Sequence, residues 1–371
     1  MKFTVSSSDL LKKLSISNGV IGSNTVLPIL EDFLFTINNN LLRIVSSNLE
    51  TTIITDIEVV AEGDGKVAVP AKILMETLRA LPEQPLTFDI NDETYAIQIT
   101  SEYGKYKLAG DNSVDYPNLP SEEDVNSITM PSEMFARVLN NTLFATSNDE
   151  LRMAMQGLFT EVEENKVTFA ATDAHKLVKY VCNNIEGGII RSFIVPRKGL
   201  NILKLALDSS DDLTVSFNTK NVFYKIGGTV VIIRLIDAKF PDYNGVIPTE
   251  NPNLLTVSRL DFLSCLKRMV IFANKTTSQV ILNLTEGSLT ISSQDLDFAN
   301  EATEQLSCTY EGNALNIGFN AKFLVEMLSV LKGENVELEL SVSNRAGILL
   351  PVEKEENEDI LMLVMPVMMG S

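Results

Sequence analysis

One cassette, written three times, constrains this chain more than any other feature. Val195-Pro196-Arg197-Lys198-Gly199-Leu200-Asn201-Ile202-Leu203-Lys204-Leu205-Ala206-Leu207 reads as a strand end, a proline at a helix start, then an amphipathic helix. Leu200, Ile202, Leu203, Leu205 and Leu207 give the helix an apolar side, while Arg197, Lys198 and Lys204 give it positive charge. The same cassette begins 126 residues earlier at Val69-Pro70-Ala71-Lys72 and 124 residues later at Phe319-Asn320-Ala321-Lys322. A second landmark repeats with it. Val5 to Leu14, Met130 to Leu139 and Val257 to Leu266 each run from a short strand through Ser or Asp caps into leucines at helical spacing.

Hairpins follow the first helix of each copy. Phe33–Ile37 and Leu41–Val45 flank Asn38-Asn39-Asn40; Gly157–Thr160 precedes Val167–Ala170; Val280–Leu284 precedes Leu289–Ile291. A polar turn comes next each time, at Ser47–Glu50, Thr172–His175 and Ser293–Leu296. Each copy closes on a proline, Pro117, Pro241 and Pro366. The period near 125 is too long for a solenoid unit. It predicts three separate α+β domains, each with two helices on one side of its sheets. Acidic joints at Ser121–Asp124 and Thr249–Asn253 read as linkers, giving expected domains 1–126, 127–252 and 253–371.

At 371 residues and 45% hydrophobic content the chain supports two or three proper cores. No apolar run approaches the roughly 20 residues of a membrane span, and Met1 to Val5 starts as a strand rather than a signal peptide. Cys182, Cys265 and Cys308 are scattered and lack CxxC spacing, which argues for a reducing compartment and against zinc or a disulfide framework. The expected location is cytoplasmic. The net charge of -19 argues against nucleic acid until its distribution is considered. Helices are expected at Asp9–Ile16, Ala71–Ala80, Ser132–Leu139, Arg197–Leu207, Ser258–Arg268 and Ala321–Lys332. They hold 13 Lys and Arg against 5 Asp and Glu, leaving 17 and 44 for the remainder. Basic helices in an acidic chain suit one shared face for a polyanion.

Catalytic patterns are missing. His175 has neither a triad pattern nor a second histidine for a metal, and no phosphate-cradling glycine motif opens a helix. Asp295 and Asp297 form the nearest carboxylate pair, in a turn whose two copies lack one. The run from Glu353 to Asp359 reads as a solvated loop. No catalytic residue, metal or cofactor is expected, and a non-enzyme is favoured.

Four segments then carry a resemblance: Ala171-Thr172-Asp173-Ala174-His175-Lys176-Leu177, Ile194 to Gly199, Phe240-Pro241-Asp242-Tyr243, and Val364-Met365-Pro366-Val367. With Thr25 to Leu30 and Ile317 to Asn320 they resemble, in order along the whole chain, the bacterial β sliding clamp family, the processivity subunit of DNA polymerase III. The resemblance implies three clamp domains per chain and a head-to-tail homodimer. Its six domains would form a ring with helices inside and sheets outside, around double-stranded DNA of any sequence. It implies DNA contacts from Lys12, Lys13, Arg79, Arg137, Arg152, Arg197 and Lys198. It also implies a dimer interface in which Tyr106 and Leu108 face Ile271 and Phe272.

The resemblance implies a pocket for short peptide motifs of the polymerase III catalytic subunit, the clamp loader and other clamp-binding proteins. Its residues would be Met155, Thr172, Ala174, His175, Lys176, Leu177, Pro241, Gly245, Val246, Leu363, Met365, Pro366, Val367 and Met368. Methionines, prolines and aliphatics suit an adaptable apolar surface. Ala174 replaces the family's usual glycine and Lys176 its usual arginine. Gly245 stands where a basic residue is common, Asn24 where a cation is frequent in a DNA-contacting loop, and the tail ends Met368-Met369-Gly370-Ser371. The changes at Ala174, Lys176, Gly245 and the tail alter the pocket rim, mostly by removing charge, and Asn24 argues against a DNA contact in its loop. The alternatives are an acidic scaffold or DNA mimic, and a hydrolase built on Asp295 and Asp297.

Overall fold

The computed structural model describes residues 1–22, 27–207 and 211–368. Asn24, Thr25 and Val26, and the tail from Met369, lie outside the described residues. The first third runs β1 (Lys2–Ser6), α1 (Ser7–Ser17), β2 (Asp32–Asn38), β3 (Leu41–Ser47), β4 (Thr51–Glu58), β5 (Val60–Glu62), β6 (Gly65–Pro70), α2 (Ala71–Ala80), β7 (Pro85–Ile90), β8 (Ala96–Thr100) and β9 (Lys105–Ala109). The middle third repeats it with β10 (Asn126–Pro131), α3 (Ser132–Thr142), β11 (Gly157–Val162), β12 (Lys166–Thr172), β13 (Lys176–Asn183), β14 (Arg191–Pro196), α4 (Arg197–Leu203), β15 (Asp212–Phe217), β16 (Asn221–Ile226) and β17 (Thr229–Arg234). The last third has β18 (Asn253–Ser258), α5 (Arg259–Phe272), β19 (Gln279–Thr285), β20 (Ser288–Asp295), β21 (Asn300–Glu311), β22 (Leu315–Asn320), α6 (Ala321–Val330), β23 (Asn335–Leu340), β24 (Gly347–Pro351) and β25 (Glu358–Val364).

The helices form where the repeat places them, for local reasons. Ser6 and Ser258 cap α1 and α5 by accepting from Asp9 N and Asp261 N at 3.4 Å, and Asn320 caps α6 by accepting from Lys322 N at 2.9 Å. Leu10 and Leu14, Leu74 and Leu78, and Leu324 and Leu328 are buried one turn apart, so each helix turns one stripe to its core. Helix α4 ends at Leu203 rather than the expected Leu207. Lys204 to Ala206 form a turn, with Leu205 exposed and Ala206 and Leu207 half-buried. Gly199 lets α4 lie on β17: a Cβ there would sit 2.7 Å from Ile233. The turn between β2 and β3 uses Asn39 and Asn40 at φ 49° and 64°, as a tight two-residue hairpin requires.

Packing divides the chain into two compact units, Met1–Ala136 with Lys198–Leu235, and Arg137–Arg197 with Ile236–Ser371. These units run across the expected domain boundaries, because each half of the middle third is fused by a strand ladder to a neighbouring third. The first unit holds a sheet ordered β5-β1-β7-β8-β9 and one ordered β10-β15-β16-β17-β4-β3-β2-β6. Its core is aromatic, with Phe3 stacked on Phe88 at 4.7 Å and Phe35 against both. The second unit holds a continuous sheet ordered β14-β11-β12-β13-β25-β24-β23-β18-β21-β20-β19-β22. The ladders that fuse the thirds are β17 on β4, with Val231 opposite Ile53, and β25 on β13, with Met362 opposite Val178. No helix among the described residues is long and apolar enough to cross a membrane.

Candidate partner pocket and basic helix faces

The second unit assembles most of the expected pocket around the turn from β12 to β13. Asp173 Oδ1 accepts from the backbone N–H of His175 and of Lys176, both at 2.9 Å. Thr172 Oγ1 accepts from Ala174 N at 3.1 Å and donates to Lys176 O at 2.7 Å. These bonds force Ala174 into the left-handed region at φ 75°, the conformation of Leu49 (φ 72°) in the equivalent first turn. Thr172 is thus buried as a turn-closing residue, while Ala174 and His175 stand exposed at the tip.

Two side chains that sequence reasoning did not name complete this wall. The Phe323 ring from α6 lies 6.2 Å from the His175 ring, nearly parallel to it, and 4.4 Å from Lys176 Nζ. Glu326, one turn further along α6, pairs with Lys176 at 2.9 Å, and Asp173 pairs with it at 3.0 Å. Lys176 is therefore corrected from a rim residue to a buried, doubly paired cation inside the wall. The only available signal was the helical spacing of Phe323 and Glu326, which marks a face and not its partner.

The floor is apolar. Leu177 sits opposite Leu363 across the β13–β25 ladder, and both join Tyr243, Phe240 and Ala346 in one buried cluster. Phe240 stacks on Phe159 at 4.8 Å, anchoring Pro241 beside it. Burial pushes the Tyr243 hydroxyl up to about 12, with Glu161, Glu163 and Asp242 adding to the effect. From Tyr243 the chain makes a 3₁₀ turn, Asn244–Val246, which leaves Gly245 exposed and Val246 at 55% exposure. Met155 lies in another 3₁₀ turn, Met153–Gln156, whose Ala154 packs on the same cluster. The last strand continues past Val364 with Met365 N donating to His175 O at 2.9 Å. Pro366 bridges to Phe319 on β22, Val367 N donates to Gly318 O at 2.8 Å, and Gln279 donates to Met368 O at 3.3 Å. Met365 (41%) and Met368 (77%) are left facing solvent beside the floor. This surface can seat apolar side chains. It offers no nucleophile or acid–base pair, and His175 packs on a ring. Asp295, the buried member of the carboxylate pair, accepts from Asp297 N at 3.2 Å, which closes a turn.

The expected DNA cations divide. Lys12, Arg79 and Lys198 are exposed on α1, α2 and α4, and Lys13 is half-exposed on α1. Arg152 is exposed, pairs with Asp149 at 3.3 Å and donates to Asp173 O at 3.3 Å. Arg197 is half-buried and donates to Thr146 and Asn148. Arg137 is corrected: its guanidinium donates to the buried Glu358 from Nε, at 3.0 Å, and from Nη2, and Tyr180 donates to the same carboxylate. The Glu358 bond holds the Arg137 pKa above its ordinary value. A long-range partner, 221 residues away in sequence, removed this cation from the free set. For the expected interface, Tyr106 and Leu108 lie on β9 at a sheet edge, and Ile271 and Phe272 are exposed on the last turn of α5.

Comparison with known proteins covers the whole chain. The DNA polymerase III beta subunit N-terminal, central and C-terminal domain families match residues 1–120, 129–242 and 244–368. The beta sliding clamp of Escherichia coli K12 is 30% identical over 371 residues, 99% of each chain, and that of Pseudomonas putida KT2440 is 29% identical over 373, again 99% of each. The solved sliding clamp of Bacillus subtilis superposes with a TM-score of 0.94 at 24% identity, and that of Pseudomonas aeruginosa bound to griselimycin with 0.93 at 25%; each covers 100% of both chains. With three domain families in order and a relative at this identity over nearly its full length, the chain belongs to the β sliding clamp family, the β subunits of DNA polymerase III.

Proposed function

We propose that two copies of this chain close head to tail into a ring around duplex DNA. The ring tethers the polymerase III catalytic subunit, the clamp loader and other motif-bearing proteins without chemistry of its own. A cytoplasmic location goes with that role. One observation carries the ring. Tyr106, Val231 and Met362 occupy the same place in the three repeats, opposite Ile99, Tyr224 and Leu349. Ile53, Val178 and Ala302 likewise share a place, opposite Ser46, Ala171 and Ser293. Val231 pairs with Ile53 and Met362 with Val178, and all four are buried or nearly so. Among the described residues Tyr106 and Ala302 have no such cross-strand partner, and both are half-exposed. An edge strand with an unused ladder is a pairing surface, and here its complement is on the same chain type.

Carrying that register across to a second copy sets Lys107 of β9 opposite Glu301 of β21, a favourable cross-strand charge pair. It puts Tyr106 on the face of β21 that α5 covers, since Arg268 of α5 pairs there with Glu304. Beside Tyr106, a groove of about 360 Å³ is lined by Ile73, Glu76, Thr77, Ala80 and Leu81. Ile271 and Phe272, exposed on the last turn of α5, would fill it. A heterologous contact of this kind closes after two chains because each supplies three equivalent units. Lys12, Lys13, Arg79, Arg152, Arg197 and Lys198 would supply contacts to phosphates, sequence-independent and suited to sliding. The pocket around Leu177, Leu363, His175 and Met365 would take the partners' motifs, with Phe323 as its side wall.

Topology is the test. The protein is loaded by a cognate clamp loader with ATP onto nicked circular and linearised plasmid, then washed at high salt. A threaded ring stays on circles and runs off linear ends, whereas an electrostatic binder is lost from both. Equal loss from both, with the loader active on another clamp, overturns the proposal.

A further inference from the structure

The third repeat departs from the other two at the turn that leads into its open edge. The ladders of the first two copies end at Ser47–Thr52 and Thr172–Leu177, whereas in the third the matching pair, Gln294–Glu301, is followed by one more, Asp295–Asn300, so this hairpin tip is two residues longer. The added length carries Leu296 at 82% exposure and Phe298 at 71%. Together they put adjacent apolar side chains on one exposed tip, and contiguous apolar surface, unlike a single exposed side chain, marks a contact. The closed β13–β25 junction shows what a turn in this place does. His175 O accepts from Met365 N, and the His175 ring lies against Phe323, on the first turn of α6. Phe323 has a counterpart in the first repeat. Val69 and Phe319 occupy matching cassette positions, so Phe323 corresponds to Ile73 on the first turn of α2, and Ile73 is 47% exposed.

We infer that the long turn is a clasp between subunits: Phe298 of one chain seats on Ile73 of a second copy, with Leu296 flanking it. The register that sets Lys107 opposite Glu301 sends the turn past Leu108 toward that helix start, so the clasp continues the proposed interface. It thus rests on the ring reading. The exposed carboxylates Asp297 and Glu301 at the turn and Lys72 beside Ile73 are of opposite sign, which favours this approach over its reverse. Each ring forms the clasp twice, so a weakening at one junction is squared in the dimer constant.

The test is the dimer dissociation constant of the full chain, from dilution of fluorescently labelled protein and checked by sedimentation. Phe298→Ser and Ile73→Ser should each weaken the dimer by about tenfold, and the double variant by little more than either single one, since both disrupt the same pair. Lys107→Glu serves as a control on the ladder. Ile73 also lines the groove assigned to Ile271 and Phe272, so the decision rests on Phe298: if Lys107→Glu weakens the dimer while Phe298→Ser leaves it unchanged, or if the losses from Phe298→Ser and Ile73→Ser add in full, the clasp is wrong and the ring stands. If the parent chain is monomeric at all concentrations, the ring reading fails and takes the clasp with it. Phe298 and Ile73 are solvent-facing in the single chain, so thermal melts taken at dilutions where parent and variants are both monomeric should match and separate assembly from folding.

Discussion

Ala174 shows how a single residue position can be strained by the turn it sits in. Its φ of 75° is imposed by the Asp173 and Thr172 hydrogen bonds, and an L-residue with a Cβ fits that region at a cost of about 1 kcal/mol. Ala174→Gly should therefore raise unfolding stability by about 0.5–1 kcal/mol, less than the full strain because glycine also loosens the unfolded chain. A guanidinium titration followed by circular dichroism reads this directly, and an unchanged or lower midpoint would refute the strain. Asp32 offers a second residue-scale case. Burial first, then Asp111 and Glu31, raise its carboxyl from an ordinary 3.8 to about 7. Because the folded value lies above the unfolded one, the folded state favours the proton. That stability is present in full below about pH 4 and is lost as pH climbs through 7. Asp32→Asn should flatten the fall between about pH 4 and 7 and stabilise the protein at pH 8 by on the order of 2 kcal/mol. Retention of the parent's pH slope in melts of the variant would exclude Asp32 as its source. Residue chemistry of this kind was only half legible in the sequence. The departure of Ala174 from glycine was visible, but its dihedral was not. Lys176 and Arg137 were visible as cations, but Glu326 and Glu358, which neutralise them, lie 150 and more than 200 residues away and share no local pattern with them.

Elements were far more legible, because they obey local rules. Six helices appeared within a few residues of their expected places, since caps and buried stripes at i and i+4 are written in adjacent residues. Helix α5 ran on to Phe272 beyond the expected Arg268, because Met269 still finds a core to enter. Helix α4 stopped at Leu203, short of the expected Leu207. What periodicity did not convey was how strands from different thirds pair. The β13–β25 ladder is fastened on one side by Arg137 and Tyr180 converging on Glu358, a carboxylate almost fully removed from water. Burial and the Glu358 bond hold the Tyr180 hydroxyl protonated far above its ordinary range. Removing one partner of a buried pair leaves the other uncompensated. Glu358→Ala should cost about 3 kcal/mol in urea unfolding of the full chain, with the loss concentrated in exchange protection of β13 and β25. Replacing both partners, Arg137→Met with Glu358→Leu, should recover most of it. A double variant as unstable as the single one would show that packing around the pair, and not the unpaired charge, sets the cost.

Across the whole molecule, the same sequence must repel DNA from most of its surface and accept it on one. A net charge of -19 with an excess of cations on the helices does both. Long-range repulsion from the acidic remainder would limit stray binding, while exposed Lys12, Arg79 and Lys198 sit on α1 and on the two equivalent helices α2 and α4. The three copies made the domain count legible, and the family comparisons agree on three domains in order. The compact units were not legible, because they follow ladders rather than repeats. Charge reversal at Lys12, Arg79 and Lys198 tests the division of labour between electrostatics and topology. Fluorescence anisotropy on short linear duplex should show weaker binding and a salt slope smaller in magnitude by about 1 for each phosphate that is no longer neutralised. The dimer constant should stay where it was, since none of the three lies on β9, β21 or the groove beside Tyr106. Once loaded on a nicked circle, the triple variant should survive a high-salt wash as the parent does, because a closed ring is held by threading and the wash acts only on phosphate contacts. Departure of the variant from circles at the rate it leaves linear DNA would mean that these cations, and not closure of the ring, hold it there.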